Sequence, residues 1–84
     1  MAERIGYKVY VDVGVRYYSD GRIRPLWLEW EDGTKYEITR VRKVERCASR
    51  RAGGAGIMYT CVINGRDVRL FYEENNRWFL EAKE

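Results

Sequence analysis

An all-β fold, a small six-stranded antiparallel meander curled into an SH3-like or half-open barrel, is what this sequence predicts. Three observations carry the prediction. Apolar residues alternate without a break from Ile5 to Tyr17. Two Asp-Gly pairs, one Asn-Gly pair and one Asn-Asn pair punctuate the chain at hairpin spacing. Val and Ile together number 13 against 9 for Ala and Leu, beside three Trp and seven Tyr. β-Branched and aromatic side chains suit a pleated, half-buried surface. At 84 residues the chain, residues 1–84, is long enough for one domain only.

The first run places Ile5, Tyr7, Val9, Val11, Val13, Val15 and Tyr17 on one face of a strand. Thirteen residues exceed the usual strand length of about five or six, so this strand must curl. Gly14 is the expected bend, because glycine tolerates bulge geometry. Ser19-Asp20-Gly21-Arg22 then reads as a hairpin turn. In the second run, Ile23 to Trp30, strict alternation puts Leu26, Leu28 and Trp30 inside and Ile23, Pro25 and Trp27 outside. Pro25 has no N–H for a ladder, so the strand is at an edge there or begins after it. Glu31-Asp32-Gly33-Thr34 is a second turn.

The third run breaks the pattern. Tyr36 and Ile38 share a parity, and Val41, Val44 and Cys47 follow at steps of three. Residues 38–48 read either as a helix or as a strand with one or two bulges. The bulged strand is the better reading, since each bulge shifts side-chain parity by one and the segment has no clear N-cap. Residues 48–56 are a Gly-rich loop. Ile57, Tyr59, Cys61 and Ile63 form a fourth strand face, Asn64-Gly65 a tight turn, and Val68, Leu70 and Tyr72 a fifth. After Glu74-Asn75-Asn76-Arg77, Trp78, Leu80 and Ala82 form the sixth. The expected core is Val9, Val11, Val13, Leu28, Trp30, Ile38, Ile63, Leu70, Trp78 and Leu80.

Composition excludes much chemistry. No histidine is present, which removes the commonest general base and transition-metal ligand. Two cysteines do not complete a structural zinc site, which wants four N or S ligands, so no metal is expected. No run of 18 apolar residues is present to span a membrane as a helix, and the charged start, Met1 to Lys8, lacks the apolar block of a signal peptide. A cytoplasmic protein with reduced Cys47 and Cys61 is therefore expected. A hairpin closing around Gly53-Gly54 would set residues 46–47 opposite 60–61.

Two stretches, Trp30-Glu31-Asp32-Gly33 through Tyr36-Glu37-Ile38-Thr39-Arg40-Val41 and Arg77-Trp78-Phe79-Leu80-Glu81, carry a resemblance. Over roughly residues 22–82 the chain resembles small bacterial β-domains of unknown function. In these a tryptophan strand, a Tyr-x-Ile/Val-x-x-Val strand and a C-terminal Arg-Trp strand recur. Such domains occur alone or attached to proteins connected with repair-type DNA polymerases. The resemblance implies the β fold and a lean toward nucleic acid, and it brings no catalytic residue.

Four constellations bear on function. Arg40, Arg42, Lys43, Arg46, Arg50 and Arg51 lie within twelve residues against only Glu45, so this segment is +5 while the chain is +3. Phosphate backbones reward such clustering through counterion release, and Arg, which outnumbers Lys twelve to four, forms bidentate phosphate contacts. The competing reading is a solvated strand face. The loop from Arg50 to Gly56 suggests an anion nest but lacks the Lys-Ser/Thr of a phosphate-binding P-loop. Tyr10, Tyr18, Trp27, Phe71 and Phe79 fall out of phase with the core and make a candidate aromatic surface, for stacked bases or for a protein partner. Glu29, Glu31, Asp32, Glu73 and Glu74 sit beside turns with no nucleophile or base nearby, which favours solvated charge. The reading is a non-enzymatic binding module without cofactor, with nucleic acid the first candidate partner. The alternative is a protein-interaction or homodimerisation module using its aromatics.

Overall fold

The structure, a computed structural model, describes residues 6–48, 55–73 and 76–83. Seven strands run through it: β1 (Gly6–Tyr17), β2 (Ile23–Glu29), β3 (Lys35–Glu37), β4 (Arg40–Ala48), β5 (Ala55–Ile63), β6 (Arg66–Glu73) and β7 (Arg77–Lys83). Every pairing is antiparallel, in the order β3-β2-β1-β7-β6-β5-β4, and the sheet curls into a half-barrel. The described residues contain no helix, so none is long and apolar enough to cross a membrane.

Strand β1 has the length to divide itself between its two neighbours in the sheet. Its first half, Gly6 to Val11, pairs with β7, and its second half, Asp12 to Tyr17, pairs with β2. The register shift falls between Gly14 and Val15, at the expected bend. The extra residue is Leu26 on β2, because Gly14 faces Trp27 and Val15 faces Pro25. This bulge corrects the inside–outside assignment in β2. Leu28 is buried, but Leu26 is 39% exposed and Pro25 is among the most buried side chains. Ile23 likewise packs against the core. Pro25 lies beyond the three residues that β3 pairs, so its missing N–H costs no ladder bond on that side.

Residues 38–48 are bulged strand. Val41 faces Cys61 and Lys43 faces Thr60, which leaves Arg42 as the extra residue. The expected third strand is in fact two, making seven strands. Ile38 and Thr39 interrupt it: the Ile38 N–H donates to the Leu26 carbonyl at 2.9 Å, and the Thr39 N–H to the Val62 carbonyl at 3.0 Å. The β3–β4 connection is therefore not a hairpin. It carries the chain from one edge of the sheet to the other and straps the barrel shut at that end.

The core gathers Leu28, Ile38, Tyr59, Cys61, Ile63, Leu70 and Trp78, with Val11, Val13 and Leu80 packed half-buried against it. Val9 is buried, and Trp30 is half-buried beside its turn. The two Asp-Gly turns are built alike. Gly21 and Gly33 take φ of +93° and +86°, and Asp20 and Asp32 accept the backbone N–H two residues on, at 3.0 and 2.9 Å. At the third turn Asn64 and Gly65 both have positive φ, 50° and 75°, as a two-residue hairpin of this type requires.

The β4–β5 register separates the cysteines. Cys47 faces Gly56 and Cys61 faces Val41, which corrects the expectation that residues 46–47 oppose 60–61. Along β5 the two positions are five residue steps apart, roughly 17 Å at about 3.4 Å each. That distance is far beyond disulfide reach. Cys61 is a buried free thiol, and burial pushes its pKa up to about 11.

Candidate functional site at the open seam

Opposite the strap, the half-barrel stays open. There the end of β2 and strand β4 stand apart, and a groove of about 700 Å³ lies between them. Its floor is Ile57, Tyr59 and Tyr72, and its walls are Ile23 on one side and Val41 and Val44 on the other. Tyr17, Tyr18, Arg22 and Arg24 form the rim. Among the described residues, the only charged ones lining the groove are the two arginines. Val44 is 54% exposed and Tyr17 64%, because nothing among the described residues covers the seam.

The rim is ordered by stacking. The guanidinium of Arg16 lies 4.7 Å and that of Arg22 4.8 Å from the Tyr18 ring centroid. Arg22 Nε also donates to Asp20 at 2.9 Å. Tyr18 is thus a mount for two cations, leaving Tyr17 as the ring open to a ligand. Both faces of this turn follow from sequence: the Asp-Gly loop brings residues 16–18 opposite 22–24, and three arginines flank it against one aspartate. That local excess was legible in the sequence and was overshadowed by the larger one in residues 40–51.

The basic segment does not act as one patch. By register Arg40 and Lys43 share the outer face of the sheet, with Val62 and Thr60 opposite them. Arg46 faces Ile57 and so lies on the groove side. The bulge unites Arg40 with Lys43, but not with Arg46. Two of the charges are also answered: Arg42 Nε donates to Asp67 at 2.9 Å, and Lys43 lies 3.5 Å from Glu45. Arg50 and Arg51, with residues 49–54 of the expected Gly-rich loop, lie outside the described residues, while Ala48, Ala55 and Gly56 belong to β4 and β5 and not to a loop.

The candidate aromatic surface is corrected in two of its members. Phe71 and Phe79 are 5% and 3% exposed. They face each other across β6 and β7 and stack at 5.0 Å with planes 7° apart. Tyr10 meets Phe79 edge-on at 5.8 Å, and Lys8 Nζ lies 5.0 Å from the Phe79 centroid. A second small core therefore forms on the outer face, locked by Glu73, which accepts from Lys8 at 2.6 Å and from Tyr10 at 2.8 Å. The lysine's hydrogen bond holds the Glu73 carboxyl below its ordinary range. This carboxylate is structural, as its partners are all side chains of the fold. Trp27 is half-buried, with Lys35 Nζ 4.7 Å from its ring. Among the five, Tyr10 is 41% exposed and Tyr18 borders the seam.

No protein-family model matches this chain, and neither a curated protein nor a solved structure matches it.

Proposed function

We propose that the protein is a non-enzymatic binding module whose partner is single-stranded nucleic acid, held in the seam between β2 and β4. The observation that carries this reading is the composition of the groove: an exposed tyrosine, an apolar floor and arginines, with no carboxylate in the lining among the described residues. Single strands are bound by rings that stack on bases and cations that track the backbone. Arg46 adds charge on the groove side, while Arg40 and Lys43 supply a more distant outer-face contribution. The apolar floor favours a base over a bare anion. The SH3-like barrel architecture and a cytoplasmic location belong to the same reading.

The test is fluorescence anisotropy of a labelled oligothymidylate or oligouridylate. Wild-type protein should bind more tightly than about 0.1 mM at low salt, the loose end of non-specific binding. Tyr17→Leu should weaken binding roughly five- to hundredfold, the range of one lost stacking platform at about 1–3 kcal/mol. Val44→Glu, which sets a carboxylate in the seam, should weaken it further. Absence of wild-type binding overturns the reading. A second reading, strand addition by a protein or a second copy, is favoured by one observation: the outer edge of β4 pairs with no strand among the described residues. Its mark would be concentration-dependent self-association or peptide capture insensitive to salt.

A further inference from the structure

We infer that Arg16 and Arg24 form a clamp for one phosphodiester at the outer lip of the seam, on the face opposite Tyr17 and Ile23, with Arg22 as a third donor. The inference rests on the single-stranded nucleic-acid reading and gives that site its anion seat.

The β1–β2 register sets Arg16 directly opposite Arg24. Like charges in opposed positions of an antiparallel pair destabilise the sheet. Here neither is relieved, since no ion pair to either arginine forms among the described residues. Arg24 Nε is also buried and has no hydrogen-bond partner among the described residues. A buried donor without a partner is costly, and apart from that buried Nε the two guanidiniums have up to nine N–H donors left for an arriving anion. Arg16 is held in place by Tyr18, which fixes Arg22 on the same ring. Three cations around one turn are thus positioned before any ligand binds.

Charge along the ladder gives the clamp a direction. Asp12 and Glu29 oppose each other at its other end, so the hairpin is acidic at one end and basic at the other. An anionic backbone is steered to the turn. Arg24 also borders a second depression, with Trp27, Lys35 and the carboxylate of Glu37, while Tyr17 borders the first. A strand whose base rests on Tyr17 reaches Arg24 by crossing the edge of β2 at residues 23–24, which β3 does not pair, and meets Arg24 before the Glu37 carboxylate.

The test is the salt dependence of oligouridylate binding. Arg16→Gln and Arg24→Gln should each lower the slope of log affinity against log salt by about 0.7, the value for one phosphate contact on a single strand. Arg69→Gln, on the outer face opposite Thr60, should leave the slope unchanged. Arg24→Lys should weaken binding at constant slope, since it keeps the charge but loses the fork; it also serves if Arg24→Gln does not fold. Inorganic phosphate alone, at the same ionic strength, should compete only weakly, because it lacks the stacked base. If wild-type protein binds but both Gln variants keep its slope, the clamp is overturned and the seam reading stands. If Arg69→Gln lowers the slope instead, the backbone runs over β5 and β6, away from Arg16 and Arg24, and the clamp is likewise overturned. Absence of wild-type binding overturns both.

Discussion

Trp27 lies flat across the backbone of Gly14: a Cβ placed on that glycine would overlap Nε1 and Cε2 of the indole. The two residues face each other in the β1–β2 ladder, beside the bulge that bends both strands. Glycine is needed here for space and not for an unusual φ. Gly14→Ala should force the indole off the sheet, at about 1–3 kcal/mol, the usual cost of overpacking. Tryptophan emission should shift to the red and the Tm should fall. Unchanged emission and Tm would contradict the packing.

Leu70 is fully buried in the middle of β6, opposite Tyr59. Leu70→Ala should cost about 2–5 kcal/mol through lost burial and the cavity left behind. A domain of this size holds only about 4–12 kcal/mol, at 0.05–0.15 per residue. Thermal melting should show a steep loss of Tm or no cooperative transition.

Cys61 is fully buried, and desolvation holds its thiol protonated to about pH 11. The thiolate is the reactive form, so alkylation of the folded protein at pH 8 should leave Cys61 unmodified. The same reagent in denaturant should modify it fully. Peptide mapping by mass spectrometry distinguishes the two. Rapid native modification would mean that β5 opens.

Asp20 and Asp32 are held below their ordinary pKa, first by the backbone N–H groups of Arg22 and Thr34. A carboxylate with a depressed folded pKa stabilises the fold above its unfolded pKa, about 4, and loses that contribution as pH falls through the folded value. The double variant Asp20→Asn, Asp32→Asn keeps an acceptor oxygen at each turn but removes the titration. Chemical denaturation at pH values from about 5 down to 2.5 should therefore show a shallower acid loss for the variant than for the wild type. Equal acid limbs would show that the turns do not sense pH.

Local signals made most of the fold legible. Alternation in β1, the Asp-Gly and Asn-Gly turns and the bulged character of residues 38–48 all depend on neighbours in sequence. What escaped depends on partners across the sheet. Leu26 exchanges places with Pro25 because one residue is looped out against β1, and nothing in Ile23 to Trp30 marks which. Phe71 and Phe79 share the parity of exposed residues on their strands, yet each buries the other. The charge cluster in residues 40–51 pointed toward a basic site, but β4 divides it between two faces. Arg16, Arg22 and Arg24 converge only because a hairpin folds them together.

The division of β1 between two neighbours has a consequence for the order of events during synthesis. Residues 12–17 find their partner in β2 almost at once, a few residues downstream. Residues 6–11 must wait for β7, where Gly6 meets Lys83 and Val11 meets Trp78. Until then that half of the strand is an unpaired apolar edge, the kind of surface on which nascent chains aggregate. Such long-range closure also slows folding, since loop entropy is paid before the contact is gained. Lys8 is the one charged residue in that waiting half, and its charge opposes edge-to-edge pairing until β7 arrives.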